Sequence, residues 1–180
     1  MVRKKPNYQQ GKIFLITEEH KKKYCGNSNQ IIYRSGWERD FCKYLLNNKC
    51  VTKLVMEEVI INYISPIDGN KHRYFMDFYF EITDKNGEIK RVLCEVKPFA
   101  QTQPPTKSLT KTGRKSKKRE STYQKQIRTY MVNMAKWEAT KRFAEKNDLI
   151  FLILTDHPDA NFRYETKFKL WTTEELGLNL

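Results

Sequence analysis

Two residues at a spacing of two combine an acid and a base at the end of an apolar stretch. Glu95 and Lys97 follow the apolar residues 92–94. Because successive side chains of a β-strand point to opposite faces, Glu95 and Lys97 are expected on one face. Asp77 lies in an aromatic-rich stretch, where a carboxylate is unfavourable unless it has a role. These three residues are the first candidates for chemistry.

The residue types predict a divalent-metal site. Two carboxylates held close together repel each other, and a cation between them removes that repulsion. Mg²⁺ or Mn²⁺ suits such a pair, together with waters and phosphate oxygens, so we expect the ligands to be Asp77, Glu95 and the carbonyl of Val96. The metal would activate a water, while Lys97 would stabilise the charge developing on phosphorus. This chemistry hydrolyses a phosphodiester bond and leaves 5′-phosphate and 3′-hydroxyl ends.

The register of one hairpin decides whether the two carboxylates meet. A three-residue loop at 85–87 pairs Asp77 with Glu95 and brings their β-carbons to about 5 Å. A two-residue Asn-Gly turn pairs Phe78 with Glu95 instead and turns Asp77 away. The chemistry therefore predicts the three-residue loop, or a bulge that restores the same parity. The alternative is a solvated strand face of alternating charges, which a Lys-rich chain produces easily.

A capping motif begins the first predicted helix, over 35–48. Ser35 and Glu38 have the spacing of a capping box, in which the Glu satisfies a helix N-terminus without any catalytic role. If this helix faces the carboxylate hairpin, Glu38 also becomes a catalytic and metal-ligating candidate. We therefore expect Glu38 to join Asp77 and Glu95 and to serve both purposes.

The remaining pattern predicts an α/β (α+β) fold with the order αβββαβ. Strand-forming residues bounded by turn residues occur at 51–56, 58–64, 72–82 and 88–97. A long helix is expected over 121–147. The apolar run at 149–154 then predicts a buried strand, parallel to its neighbour because a long helix precedes it. The expected architecture is a mixed, mainly antiparallel sheet flanked by helices.

Composition along the chain predicts one folded domain with flanking segments. The catalytic core is expected over 30–156, and 1–29 is expected to be an irregular basic arm. Within the core, 98–120 has the composition of an exposed basic loop. Residues 157–180 are expected to add an edge strand at 162–171 and a short final helix.

The charge balance predicts a polyanionic partner. The chain has 34 Lys and Arg against 21 Asp and Glu, which gives a net charge of +13. Such an excess most often accompanies nucleic-acid binding, although a ribosomal protein would share it. No run of about 18 apolar residues is present, and the start MVRKKPNYQQGK lacks the apolar stretch of a signal peptide. We therefore expect a soluble intracellular protein.

The candidate DNA-binding residues follow the acid-base strand. The segment from Lys107 to Arg119 contains seven basic residues and no acid. The basic residues are Lys107, Lys111, Arg114, Lys115, Lys117, Lys118 and Arg119. The segment has no aromatic residue for stacking on unpaired bases, so we expect contact with the backbone of double-stranded DNA. On the next helix Asn133 and Lys136 share a face and could reach a phosphate or the metal. The alternative is a solvated loop or a docking arm for another protein.

Five motifs in order resemble the head-completion nucleases of T-even-type tailed phages. They lie at 31–38, 57–69, 72–78, 95–98 and 133–137, and the resemblance covers roughly 30 to 154. It implies a PD-(D/E)XK nuclease with a restriction-endonuclease-like core, in which Glu38, Asp77, Glu95 and Lys97 are catalytic. It also implies a metal-dependent endonuclease that acts on DNA after packaging, when heads are joined to tails. Phage head or neck proteins would then be partners, in the host cytoplasm or in the virion.

Two other interpretations fit the same residues. The order RSxWE…D…ExK also resembles the TnsA-type transposase endonucleases, which generally have Gln where Glu95 stands and carry a further C-terminal domain. The second is a structural neck or DNA-binding protein whose nuclease site is vestigial or incidental, and the intact carboxylates and lysine count against a vestigial site. Met76 replaces the usual Pro before the metal Asp. Cutting of a duplex by a single site would suggest a homodimer, although sequential nicking would serve as well.

Overall fold

The computed structural model describes residues 10–107 and 117–155 and two short strands beyond them. The helices among these residues are α1 (Glu18–Lys23), α2 (Gly36–Asn47), α3 (Phe99–Thr102) and α4 (Lys117–Lys146). The strands are β1 (Gly11–Lys12), β2 (Ile32–Tyr33), β3 (Val51–Met56), β4 (Ile60–Ile64), β5 (Lys71–Phe75), β6 (Phe78–Thr83), β7 (Ile89–Val96), β8 (Ile150–Leu154), β9 (Tyr164–Glu165) and β10 (Leu170–Trp171). None of the described helices is both long and apolar enough to cross a lipid bilayer.

Four strands form the central sheet, in the order β3-β6-β7-β8. The pairs β3–β6 and β6–β7 are antiparallel, whereas β7 and β8 are parallel. The parallel pair follows from α4, because a parallel neighbour has to be reached through a crossover connection. The restriction-endonuclease-like α/β architecture, with its mixed, mainly antiparallel sheet and a parallel last strand, is confirmed.

Both faces of the central sheet are covered. On one face Cys94 of β7 belongs to a core that includes Phe41 of α2. On the other face Leu93 belongs to a second core that includes Ala139 of α4. A strand buried on both faces is normally apolar throughout, so a buried Glu95 in β7 has to be stabilised by particular partners.

The single strand predicted over 72–82 is wrong. β5 pairs with β4 in a separate two-stranded sheet, whereas β6 joins the central sheet. At the crossing, where the chain passes from β5 to β6 at Met76 and Asp77, the N–H of Met76 donates to the carbonyl of Val59. The carbonyl of Asp77 accepts from the N–H of Glu57. The aromatic pattern continues through both strands, so a local pattern does not reveal the change of partner.

The register of the β6–β7 hairpin confirms the three-residue loop. The N–H of Asp84 donates to the carbonyl of Glu88 at 2.8 Å, and the strands pair with the parity that this loop requires. Gly87 has a φ of 82°, a left-handed conformation that Gly adopts without a steric penalty. Extended by one position, this register places Asp77 opposite Glu95, just beyond the first residue of β6.

The irregular arm expected over 1–29 contains regular structure in its described part. Residues 10–29 include α1 and β1, and β1 pairs with β2. The buried Nζ of Lys23 donates to the carbonyls of Leu46 and Asn48 at 2.8 Å each, where α2 ends. α1 is too short to produce a clear helical period, which explains the wrong expectation. The division into arm, core and extension stays a prediction.

The basic loop expected over 98–120 is shorter than predicted. α3 occupies 99–102, and α4 begins at Lys117 instead of near Ser121. Residues 117–120 are three basic residues and a Glu, all good helix formers, so the helix extends by one turn at its start. Residues 108–116 lie outside the described residues.

The C-terminal expectations are only partly testable. β9 and β10 pair with each other in an antiparallel arrangement, within the stretch 162–171 that was expected to be one edge strand. The single strand is therefore wrong, and two short antiparallel strands take its place. The predicted final helix after Trp171 lies outside the described residues.

Candidate active site

The two candidate carboxylates meet at the ends of β6 and β7. Asp77 is 8% exposed and Glu95 is 1% exposed. The N–H of Val96 donates to Oδ2 of Asp77 at 2.8 Å, which fixes Asp77 against the end of β7. Burial and the neighbouring charge of Glu95 raise the pKa of Asp77 well above its usual range. The pair is therefore under the electrostatic strain that a cation would relieve.

Lys97 completes the group. Its Nζ lies 2.6 Å from Oε1 of Glu95, and its N–H continues the parallel pairing by donating to the carbonyl of Leu154 at 2.9 Å. Burial acts to lower the pKa of Lys97, but the charges of Glu95 and Asp77 outweigh burial and raise it. The structure thus brings Asp77, Glu95 and Lys97 together at one point, as the sequence predicted.

Tyr74 is a site residue that sequence reasoning missed. It is buried in β5, and its hydroxyl donates to Oε2 of Glu95. Along one continuous strand, Tyr74 and Asp77 would point to opposite faces. The break between β5 and β6 removes that constraint and lets both residues approach Glu95. Strand alternation alone therefore predicts that Tyr74 points away from the site.

Lys136 of α4 lies above this group. Its ammonium is 4.9 Å from the ring centroid of Tyr74 and 5.8 Å from that of Tyr63, both of which are cation–π distances. Burial lowers the pKa of Lys136, and the charge of Glu95 partly opposes that effect. The structure therefore places the predicted Lys136 in the electrostatic field of the carboxylates.

Asn133, which was predicted to share a face of α4 with Lys136, is buried. Its side chain is 6% exposed, and its Nδ2 has no hydrogen-bond partner among the described residues. The same is true of Nε1 of Trp137, one turn further along the helix. A role for Asn133 in DNA binding stays a prediction.

Glu38 is held by its capping contacts. Its N–H donates to Oγ of Ser35 at 3.2 Å, and its Oε1 accepts from the same Oγ at 2.8 Å. Its Oε2 accepts from the N–H of Arg34 at 2.7 Å. The charge of Glu38 still acts on Asp77 and Lys97, raising the pKa of each as a minor contribution. The Ser35 half of the predicted capping box is confirmed, whereas the Glu38 carboxylate accepts from the N–H of Arg34 in place of that of Ser35. A metal-ligating role of Glu38 stays a prediction.

An ion pair joins the cap to the crossing between β5 and β6. Nε and Nη2 of Arg34 each lie 2.7 Å from a different oxygen of Glu57, which is a bidentate contact. Glu57 has a φ of 56°, in the left-handed region that favours Gly. Since the N–H of Glu57 donates to the carbonyl of Asp77, this contact connects the segment before Glu38 with the segment that carries Asp77. Sequence reasoning missed both partners, which are distant in the chain.

The predicted basic residues are only partly described. Lys107 is exposed, with its Nζ 3.4 Å from Oε2 of Glu120 and 5.3 Å from the ring centroid of Tyr123. The backbone of 117–119 lies in the first turn of α4. The three remaining basic residues, Lys111, Arg114 and Lys115, lie outside the described residues.

The donor set suits a hard divalent cation. Asp77 and Glu95 are buried carboxylates at one point, and Mg²⁺ is usually bound through one or two carboxylates with waters and substrate oxygens. Across 10–107 and 117–155, no three His, Cys, Asp or Glu side chains form a ready-made metal cluster. The residues therefore fit an ion that completes its coordination with water and substrate, with the carbonyl of Val96 as the further predicted ligand.

Two comparisons with known proteins identify the family of the chain. The family described as TnsA-like endonuclease N terminal matches residues 48–156, a range that contains Asp77, Glu95 and Lys97 and begins after Glu38. The head completion nuclease of Enterobacteria phage T4 is 37% identical over 134 residues, which are 74% of this chain and 84% of that protein. No solved structure matches the chain. With its buried carboxylate pair and lysine in the matched region, the chain belongs to the TnsA-like endonuclease family, and the phage T4 head completion nuclease is among its relatives.

Proposed function

We propose that this protein is a divalent-metal-dependent DNA endonuclease that acts in the head completion of a tailed phage. The observation that carries the proposal is the buried group of Asp77, Glu95 and Lys97, where β6 and β7 meet. Burial of two carboxylates close together lowers the stability of a fold. A protein that keeps such a pair is expected to use it, so the pair indicates a functional site.

Each residue has a defined part in the proposed hydrolysis. Asp77, Glu95 and the carbonyl of Val96 would hold Mg²⁺ or Mn²⁺, with Glu38 as a further predicted ligand. The ion would supply Lewis-acid chemistry there, by making a water more acidic and by polarising the scissile phosphate. The charges of Glu95 and Asp77 raise the pKa of Lys97, so burial does not deprotonate it at neutral pH, and its ammonium would stabilise the attacking hydroxide or the charge that develops on phosphorus. The products are 5′-phosphate and 3′-hydroxyl ends.

The surface beside the site supplies the binding of double-stranded DNA. Lys136 lies in the electrostatic field of the acids, and the exposed Lys107 contacts Glu120 and Tyr123 of α4. The other predicted contacts are Lys111, Arg114, Lys115, Lys117, Lys118, Arg119 and Asn133. They neutralise backbone phosphates and read little sequence, because the segment has no aromatic residue to stack on bases.

The first test is the nicking of supercoiled plasmid in Mg²⁺ or Mn²⁺. Wild type is expected to nick the plasmid, whereas Asp77→Asn is expected to fold and to lose at least a hundredfold in rate, since it removes a charged ligand of the ion. Asp40→Asn removes the same charge from an exposed position on α2 and is expected to cut like wild type. Circular dichroism checks the folding of all three proteins. EDTA is expected to abolish cutting.

The same reaction tests the product ends. DNA ligase is expected to reseal the nicks without prior treatment, because ligation needs a 5′-phosphate beside a 3′-hydroxyl. Nicks that resist ligase would contradict the proposed chemistry. If wild type binds the plasmid and leaves it intact in both metals, a structural DNA-binding role takes the place of the nuclease.

The match to the TnsA-like family favours one alternative, an endonuclease that cuts one strand at a transposon end. Cutting of a plasmid without transposon ends distinguishes the two, since the proposed head-completion enzyme contacts the DNA backbone and reads little sequence. The order in which nicked and linear plasmid appear tests whether the protein acts as a homodimer. Two sites acting together linearise the plasmid from the start, whereas a monomer accumulates nicked circles first. Capture of phage head or neck proteins from infected cells tests the proposed partners.

A further inference from the structure

The two oxygens of Glu95 have separate partners. Nζ of Lys97 lies 2.6 Å from Oε1, and the hydroxyl of Tyr74 donates to Oε2. We propose that Tyr74 is a positioning residue, which orients the Glu95 carboxylate for the divalent ion; this inference rests on the proposed function. A carboxylate has about four acceptor positions, so both oxygens keep a free lone pair after accepting one hydrogen bond each.

Tyr74 is held in place by the second sheet and by α4. It lies opposite Ile61 in the β4–β5 pair and belongs to the core that includes Ala139 of α4. The ammonium of Lys136 lies 4.9 Å from the centroid of its ring. The ring is buried, so the hydroxyl has little freedom to leave Glu95. The β4–β5 hairpin thus brings a donor to the carboxylate from outside the sheet that carries Glu95.

A fixed donor on a metal-ligating carboxylate has two effects. It offsets the cost of burying Glu95, since a buried charge without hydrogen bonds is strongly destabilising. It also restricts rotation of the carboxylate, so that less orientational freedom is lost when the ion binds.

The test removes the hydroxyl alone. Tyr74→Phe keeps the ring beneath Lys136 and leaves Oε2 of Glu95 without its donor. The affinity for Mn²⁺ is expected to fall about tenfold to a hundredfold, which is the usual loss when a residue that hydrogen-bonds to a metal ligand is removed. Isothermal titration calorimetry on metal-free protein without DNA measures this affinity. At saturating Mn²⁺, kcat for plasmid nicking is expected to fall while KM for DNA stays unchanged.

Tyr79→Phe is the matched control. The hydroxyl of Tyr79 donates to Oε1 of Glu81 at 2.9 Å, so the chain has a second tyrosine–carboxylate pair, outside the site. This variant is expected to keep the Mn²⁺ affinity and the nicking rate of wild type. If Tyr74→Phe binds Mn²⁺ and cuts like wild type while Asp77→Asn does not cut, the inference is overturned and the proposed function stands. If wild type itself neither binds Mn²⁺ nor cuts, both fail together.

A double variant separates positioning from core packing. In a Glu95→Gln background, Tyr74→Phe is expected to cause no further loss of Mn²⁺ affinity, because Tyr74 acts through the carboxylate. Additive losses would contradict this. Should Tyr74→Phe fail to fold, folding of the double variant shows that the stranded charge of Glu95 was the cause and supports the contact. Failure of both variants to fold would show that the hydroxyl serves the core and would overturn the inference.

Discussion

Glu57 adopts a backbone conformation that an L side chain rarely takes, and it does so beside the site. Its φ is 56°, and its side chain makes the bidentate ion pair with Arg34. The left-handed region costs a non-Gly residue about 1 kcal/mol or more. Strain of this kind persists where the surrounding structure requires it, and here it accompanies the crossing between β5 and β6 at Asp77.

At position 57, the Gly variant is expected to be more stable than the Ala variant, which is the reverse of the usual order. Glu57→Gly should be more stable than Glu57→Ala by about 1 kcal/mol in urea unfolding, because only Gly adopts the positive φ without strain. Both variants lose the contact with Arg34, so both should nick plasmid more slowly than wild type.

Asp148 provides the control for this reversal. It has a φ of 53° and lies after α4, so Asp148→Gly should likewise be more stable than Asp148→Ala, with nicking unchanged. Equal stability of the Ala and Gly variants at 57 would show that the backbone relaxes there and would contradict the expectation.

At the scale of elements, the cap of α2 stabilises the helix and positions Glu38. Oγ of Ser35 accepts from the N–H of Glu38 and donates to its carboxylate. Ser35→Ala is expected to lower the free energy of unfolding by about 1 kcal/mol, the usual cost of losing such a cap. The nicking rate should fall by more than the fraction of unfolded protein explains, since Glu38 loses one of its two hydrogen-bond partners.

The cap of α1 supplies the comparison for Ser35→Ala. Oγ1 of Thr17 accepts from the N–H of His20 at 3.1 Å, at a helix that carries no proposed site residue. Thr17→Ala should therefore lose stability and keep its nicking rate. If both variants affect cutting only through stability, Glu38 is a structural capping residue.

Both sheets contribute residues to the site. The central sheet carries Asp77, Glu95 and Lys97 at adjoining ends of β6 and β7, whereas the β4–β5 sheet supplies Tyr74. α4 lies beside both, with Lys136 above the ring of Tyr74. The site therefore depends on the docking of the small sheet against the central one, which neither sheet specifies alone.

At the scale of the whole molecule, a net charge of +13 predicts strong electrostatic binding of DNA. Affinity for duplex DNA should fall linearly on a plot of log affinity against log salt concentration. The triple variant Lys117→Gln, Lys118→Gln, Arg119→Gln should reduce the magnitude of that slope by about 0.9 for each phosphate contact that is lost. Fluorescence anisotropy with a labelled duplex in Ca²⁺ measures binding without cutting.

A charge-matched triple variant controls for net charge alone. Lys22→Gln, Lys43→Gln and Lys49→Gln make the same change at exposed positions near α1 and α2. This protein should keep a slope close to that of wild type. An equal reduction in both triple variants would mean that DNA responds to the overall charge and has no preferred path beside α4.

Local pattern was sufficient for much of the fold. The capping box at Ser35, the three-residue loop at 85–87 and the parallel strand after α4 were all predicted. Each depends on residues close in sequence or on a rule of chain connection. The placement of Asp77 opposite Glu95 also came from local counting, because hairpin register is set by the length of its loop.

The amino-acid sequence alone determined which residues are the candidates for chemistry, since Asp77, Glu95 and Lys97 are unfavourable in an apolar sheet without a role. The tertiary structure decided how they are held. The break after β5, the approach of Tyr74 to Glu95 and the pairing of Arg34 with Glu57 all join segments that are distant in the chain. Periodicity reports which face of an element is buried, and contact between two elements depends on the packing of the whole core.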